Sequence, residues 1–136
     1  MPITKQSGRQ ELIVAHVNIN LADVVNNVAQ AAIDLPPNAV LVDGSLVTTE
    51  AWNSTTSDVM DVGDATSAAR YLTDGNIRAL AARVPLVMTG FVHTNAEKTL
   101  NVTWTSGGGV PTTGKVRLEV RYYVLNRSVF TQGLGQ

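Results

Sequence analysis

The closing third of the chain leaves the fold least freedom. From Lys115 to Leu125 the side chains alternate: Val116, Leu118, Val120, Tyr122 and Val124 fall on one side, and Lys115, Arg117, Glu119, Arg121 and Tyr123 on the other. A period of two belongs to a pleated strand with one wet face, whereas a helix scatters such a set around its axis. Thr99 to Thr105 repeats the pattern, with Leu100, Val102 and Trp104 opposing Asn101, Thr103 and Thr105. So does the start of the chain, where Ile13, Ala15, Val17, Ile19 and Leu21 interleave with Val14, His16, Asn18 and Asn20. Val and Thr together fill a quarter of the sequence, and β-branched side chains suit a pleated, half-buried surface.

The intervening segments extend this reading. Leu35 to Glu50 breaks at Asp43-Gly44, which predicts either two strands or one strand kinked at a bulge. Asp58 to Gly63 and Leu86 to His93 read as further short strands. Ser67 to Leu72 suits a single helical turn, Thr73-Asp74-Gly75-Asn76 interrupts it, and Ile77 to Ala82 stays open between strand and turn. Gly107-Gly108-Gly109, Pro111 and Gly114 read as a flexible loop joining the last two strands. Seven or eight short strands with regular turn signals predict an all-β chain. The expected form is an antiparallel β-sandwich, jelly-roll-like, with at most one short helix. Val116, Leu118, Val120, Leu100, Val102 and Trp104 are its expected core.

A length of 136 residues suits one domain. The expected division is a polar N-terminal arm over 1–10, the β-sandwich over 11–125 and a polar C-terminal tail over 126–136. Such tails need partners to be ordered. No cysteine is present, so the core must hold without disulfides. A chain of this size buries enough surface to do so. A formal charge of −1, with only 15% charged residues, argues against a nucleic-acid module driven by phosphate attraction. The first apolar run, Leu12 to Val17, is too short and too polar at His16 for a membrane span or signal peptide. A soluble protein made in a cytoplasm is expected.

The search for chemistry is mostly negative. His16 and His93 stand apart from any other ligand at a zinc-binding spacing, and each is expected on the polar face or at the end of its strand. No serine lies in a GxSxG elbow, and no phosphate-cradling glycine motif occurs. Asp58, Asp61 and Asp64 form the one acidic cluster; they read as solvated turn and edge charges rather than a calcium loop, with Asp58 and Asp61 on opposite strand faces. No metal, no cofactor and no catalytic set is expected. Trp104 is in phase with the core, so Trp52, beside Asn53 and Ser54, is the freer indole for a ligand or partner. Three matches to the glycosylation sequon, at Asn53, Asn101 and Asn126, have no secretion signal beside them and read as chance.

Three segments together resemble tailed-bacteriophage head decoration, or capsid cement, proteins: DVGDATSAARYL (Asp61 to Leu72), PLVMTGFVHTNAEKTLNVTWTSGGGVPTTG (Pro85 to Gly114) and KVRLEVRYYV (Lys115 to Val124). The likeness lies in the order of these parts more than in any one of them, and it covers a little over half of the chain. It implies a structural virion protein, not an enzyme, made in the bacterial host cytoplasm and bound to the outer capsid surface. Its implied partners are the major capsid protein and itself, as a homo-dimer or homo-trimer. Pro2, Ile3 and Thr4 of the arm, Trp52, and Asn126, Arg127, Val129 and Phe130 of the tail are the expected contact residues. The alternative is a carbohydrate-binding or adhesin-type sandwich, with Trp52 and the Gly107 to Gly114 loop forming the site.

Overall fold

A computed structural model of the chain describes residues 11–125. Eight strands make up the body: β1 (Ile13–Asn20), β2 (Ala29–Asp34), β3 (Ala39–Glu50), β4 (Ser57–Gly63), β5 (Leu72–Asn76), β6 (Arg83–Pro85), β7 (Thr99–Gly107) and β8 (Lys115–Val124). They form two four-stranded sheets, ordered β1-β8-β3-β6 and β2-β7-β4-β5. Every pairing is antiparallel.

The pairing is nested. β1 pairs with β8, β2 with β7, β3 with β6 and β4 with β5, as if one long double strand had been folded at its middle. Rolling that ribbon adds the β3–β8 and β4–β7 contacts and closes the two sheets face to face. This is the eight-stranded jelly roll, so the expected sandwich is the observed one.

The alternating strands point as their sequence requires. Val116, Leu118, Val120, Leu100, Val102 and Trp104 are all buried between the sheets, with Leu46, Met60 and Val62 from the middle strands and Ile77 just after β5. Within Leu35 to Glu50, Ala39 onward is one bulged strand, β3, whose register slips between Leu41 and Asp43, while Leu35 to Asn38 form the turn before it. At Gly44 a Cβ would approach the Leu86 side chain to 2.8 Å and the Glu119 carbonyl oxygen to 3.0 Å, so the kink favours a residue without one.

Several expectations fail. Leu86 to His93 is not a strand. Its backbone is shared between distant elements: Leu86 N–H donates to Gly44, Val87 N–H to Tyr71 and His93 N–H to Ala39, so no continuous ladder can form. Ser67 to Leu72 is not a helical turn but a tight turn, in which Arg70 N–H donates to Ser67 and Asp64 N–H reaches back to the same carbonyl. Thr73 to Asn76, expected to interrupt, lies in β5, and Ile77 to Ala82 is turn and irregular chain. The expectation of at most one short helix holds: the helical structure among the described residues is two three-residue 3-10 turns, Leu21–Asp23 and Asn95–Glu97.

Candidate docking surface

Polar residues that resembled loose surface chemistry are instead buried and fully engaged. His93 is completely buried rather than on a wet face. Its Nδ1 lies 2.9 Å from the Glu97 carbonyl and its Nε2 lies 2.7 Å from the Tyr71 hydroxyl. A carbonyl can only accept, so Nδ1 carries the proton and donates, and Tyr71 O–H donates to Nε2. Both ring nitrogens are therefore used, and the imidazole has none left for a metal or a substrate. Burial pushes the Tyr71 phenol up to about 12, against a lowering hydrogen bond from Thr89.

Asp64 is also buried, not a solvated turn charge. Burial alone would raise its pKa, but hydrogen bonds from Arg70, Thr66 and Ser67 outweigh that and hold the carboxyl below its ordinary value. Arg70 Nε lies 2.6 Å from Asp64 Oδ2, and the guanidinium stacks 3.5 Å above the Phe91 ring. Glu97 is held low by hydrogen bonds from the Thr94 side chain and backbone, with a further one from Thr66. The cluster knits the 64–71 turn to the 86–98 segment. Asp58, expected at an edge, points inward from β4, which lies between β7 and β5. It accepts from Ser54 N–H at 3.1 Å, Ser54 O–H at 2.5 Å and Trp104 Nε1–H at 3.2 Å. Asp61 does lie on the opposite face, where it accepts from Asp74 N–H at 2.6 Å. Among the described residues no three His, Asp or Glu side chains group as metal ligands.

Trp52 corrects a sharper expectation. It is 2% exposed, not a free surface indole, and its ring centroid lies 5.5 Å from that of Trp104. Gly114 seals it: a Cβ there would come within 2.3 Å of the ring. The glycine-bearing loop meets Trp52 as expected, but as its lid. It is also tied down, since Asn53 Oδ1 accepts from Thr112 and Thr113 N–H, and Thr113 O–H donates to the Ala51 carbonyl. No ring face is left on which a sugar could stack. The other expected contact residues, Pro2, Ile3, Thr4, Asn126, Arg127, Val129 and Phe130, lie outside the described residues.

What remains available is an edge. Each sheet ends at an outer strand on either side: β1 and β2 are neighbours on one side, and β5 and β6 on the other, where Gly75 sits against Val84. Among the described residues β1 pairs with β8 alone, without a register shift from Ile13 to Asn20, and it contains neither proline nor charge. Its other side is a row of main-chain groups with no strand partner among the described residues, the feature that proteins usually blunt. Val14 is 62% exposed on it, and Val25 and Val28 are exposed beside the start of β2. Between the two edges opens a groove of about 200 Å³, floored by Val17, Ile19, Val24 and Val102. Alternation in β1 was legible in the sequence, but its place at an open edge was not, because edges are set by which strands pair.

No family model matches the chain, and no curated protein matches it in sequence. Solved structures do share its fold. A chain of the cyanophage Pam1 capsid asymmetric unit superposes with a TM-score of 0.70 at 21% identity, over 91% of each chain. A chain of the Ralstonia phage GP4 capsid gives 0.66 at 17% identity, over 93% of this chain and 91% of that one. A chain of the acid-stable capsid of Helicobacter pylori bacteriophage KHP30 gives 0.59 at 19% identity, over 83% and 87%. The jelly roll described here is thus a fold found in chains of three phage capsids.

Proposed function

We propose that this protein is a structural component of a phage virion that binds the outer surface of the capsid and cements the head by bridging major capsid protein subunits. The observation that carries the proposal is the match of nearly the whole chain to chains of three phage capsids. The free β1 edge supports it. An uncharged, regular edge strand of eight residues is a liability in a protein that stays alone, and an asset in one that adds a neighbour's strand to its own sheet. The buried hydrogen-bond networks around His93, Asp58 and Asp64 fit the same role, because they stiffen the body and offer no acid, base or nucleophile to a substrate.

In this proposal the protein acts as a homo-dimer or homo-trimer on the shell, after synthesis in the bacterial host cytoplasm. The arm residues Pro2, Ile3 and Thr4 and the tail residues Asn126, Arg127, Val129 and Phe130 reach the neighbouring chains. The Trp52 ring is buried and offers no face to a neighbour, so the adhesin alternative loses its stacking platform. A ligand that binds only the assembled shell stabilises it by RT ln(1 + [L]/Kd), about 2.7 kcal/mol per site at a hundredfold excess over Kd. Many sites then add. Heads lacking the protein are expected to release their DNA at a lower temperature, and purified protein added back restores the transition even at raised ionic strength. Depleted heads as heat-stable as complete ones would overturn the cementing role.

A further inference from the structure

The side of the sandwich opposite β1 and β2 carries an open recess of about 680 Å³, lined by Ala51, Trp52, Asn76, Arg78, Arg83 and Val84 among others. Its chemistry is one-sided. Of the five arginines among the described residues, Arg70, Arg117 and Arg121 each pair with a carboxylate, at Asp64, Glu119 and Asp43. The two that make no ion pair, Arg78 and Arg83, both line this recess, and no Asp or Glu lines it. Two buried side-chain nitrogens among the described residues have no hydrogen-bond partner, Trp52 Nε1 and Arg78 Nη1, and both residues belong to the recess.

The two indoles make the asymmetry plain. Trp104 Nε1–H donates to the Asp58 carboxylate at 3.2 Å, so the chain supplies that acceptor itself. Trp52, 5.5 Å away ring to ring and 2% exposed, has a donor-only nitrogen and no acceptor among the described residues. A buried donor left unpaired is unfavourable, and a guanidinium lining the same recess favours a planar oxyanion that can take two parallel N–H bonds. The acceptor that Asp58 provides for one indole is missing for the other.

We propose that this recess is a carboxylate-binding site, in which Arg78, with Arg83 at the rim and the Trp52 indole N–H behind, takes an acidic side chain from a neighbouring protein chain in the shell. The identity of that neighbour rests on the proposed capsid role; the carboxylate site itself does not.

The chain contains two tryptophans, so its 15N-labelled form gives two indole signals, which Trp52→Phe assigns. Sodium acetate is titrated into the full chain against sodium chloride at equal ionic strength. The Trp52 signal is expected to move saturably while the Trp104 signal holds still. Arg78→Gln weakens the apparent acetate affinity about ten- to a hundredfold, the factor of one charge-assisted hydrogen bond. Dispersed backbone amide signals verify that the variant is folded, and Arg83→Gln gives a second variant at the rim. A Trp52 signal that ignores acetate, that shifts only in step with Trp104, or that answers sodium phosphate but not acetate overturns the site. If an Arg78→Gln, Arg83→Gln double variant binds heads as tightly as the unaltered chain, the neighbour's carboxylate is the wrong occupant. If the unaltered chain fails to bind heads, the capsid role and the neighbouring occupant fall together, and the acetate response still decides the recess.

Discussion

β1 and β2 bound one side of the sandwich with eight and six residues, while β6 and β5 bound the other with three and five. The first pair holds a single charged residue, Asp34 at the end of β2. The second holds Arg83, Pro85, Asp74 and Gly75, and its register is broken opposite Met60 and Val62. Proline, charge, shortness and a bulge are the usual means of stopping one sheet from adding to another. β2 also carries a bulge, between Ala31 and Ile33, so among the described residues β1 is the one edge strand without any of these devices, as the proposed capsid role requires of an edge that takes a partner. The guarded β5 and β6 side offers side-chain chemistry instead of backbone, through Arg78 and Arg83.

The contrast is open to direct attack. Trp52→Ala is expected to cost about 3–5 kcal/mol in chemical denaturation, as for any buried indole; a loss below about 0.5 kcal/mol would return Trp52 to the surface and undo the reading of the guarded side. Arg70→Ala should cost about 2–4 kcal/mol, because Asp64 keeps a buried charge without its partner. The pH dependence sharpens this. With its folded pKa below the ordinary 3.8, Asp64 contributes fully at pH values above the unfolded pKa, and the contribution fades as pH falls through the lower folded value. Denaturation midpoints measured between about pH 5 and 2 should therefore fall more steeply with acid for the unaltered chain than for Arg70→Ala. Ala81, beside the recess, has a φ of 66°, a region an alanine adopts only with strain. Ala81→Gly is expected to raise stability by about 0.5 kcal/mol, the relief less the entropy that glycine loses. Val14→Lys, on the open edge, should change the isolated chain by no more than about 0.5 kcal/mol while weakening its attachment to heads in a sedimentation assay.

Much of the fold was legible because β7, β8 and β1 carry their instruction locally, in the alternation of Leu100 with Asn101 or Leu118 with Glu119. What escaped depends on distant chain. Trp52 looks exposed beside Asn53 and Ser54, and only Gly114, 62 positions later, seals its ring. Asp58 looks solvated until Trp104 of β7 donates to it from across a strand pair. Leu86 to His93 is apolar enough for a strand, yet its backbone donors serve Gly44, Tyr71 and Ala39 in turn. Of the candidate contact residues, Trp52 was misplaced for the same long-range reason. The free edge was invisible for another: the β1 sequence is the same whether one neighbour or two flank it, and nested pairing decides which.

Amide hydrogen exchange on the free chain and on the chain bound to heads tests the role of the open edge most directly. The outward-facing amides of β1, from Ile13 to Asn20, should exchange readily in the free chain and become protected on the head, while those of Arg83 and Val84 in β6 change little. Protection confined to the β5 and β6 side, or unchanged exchange along β1 in a head-bound chain, would contradict the account.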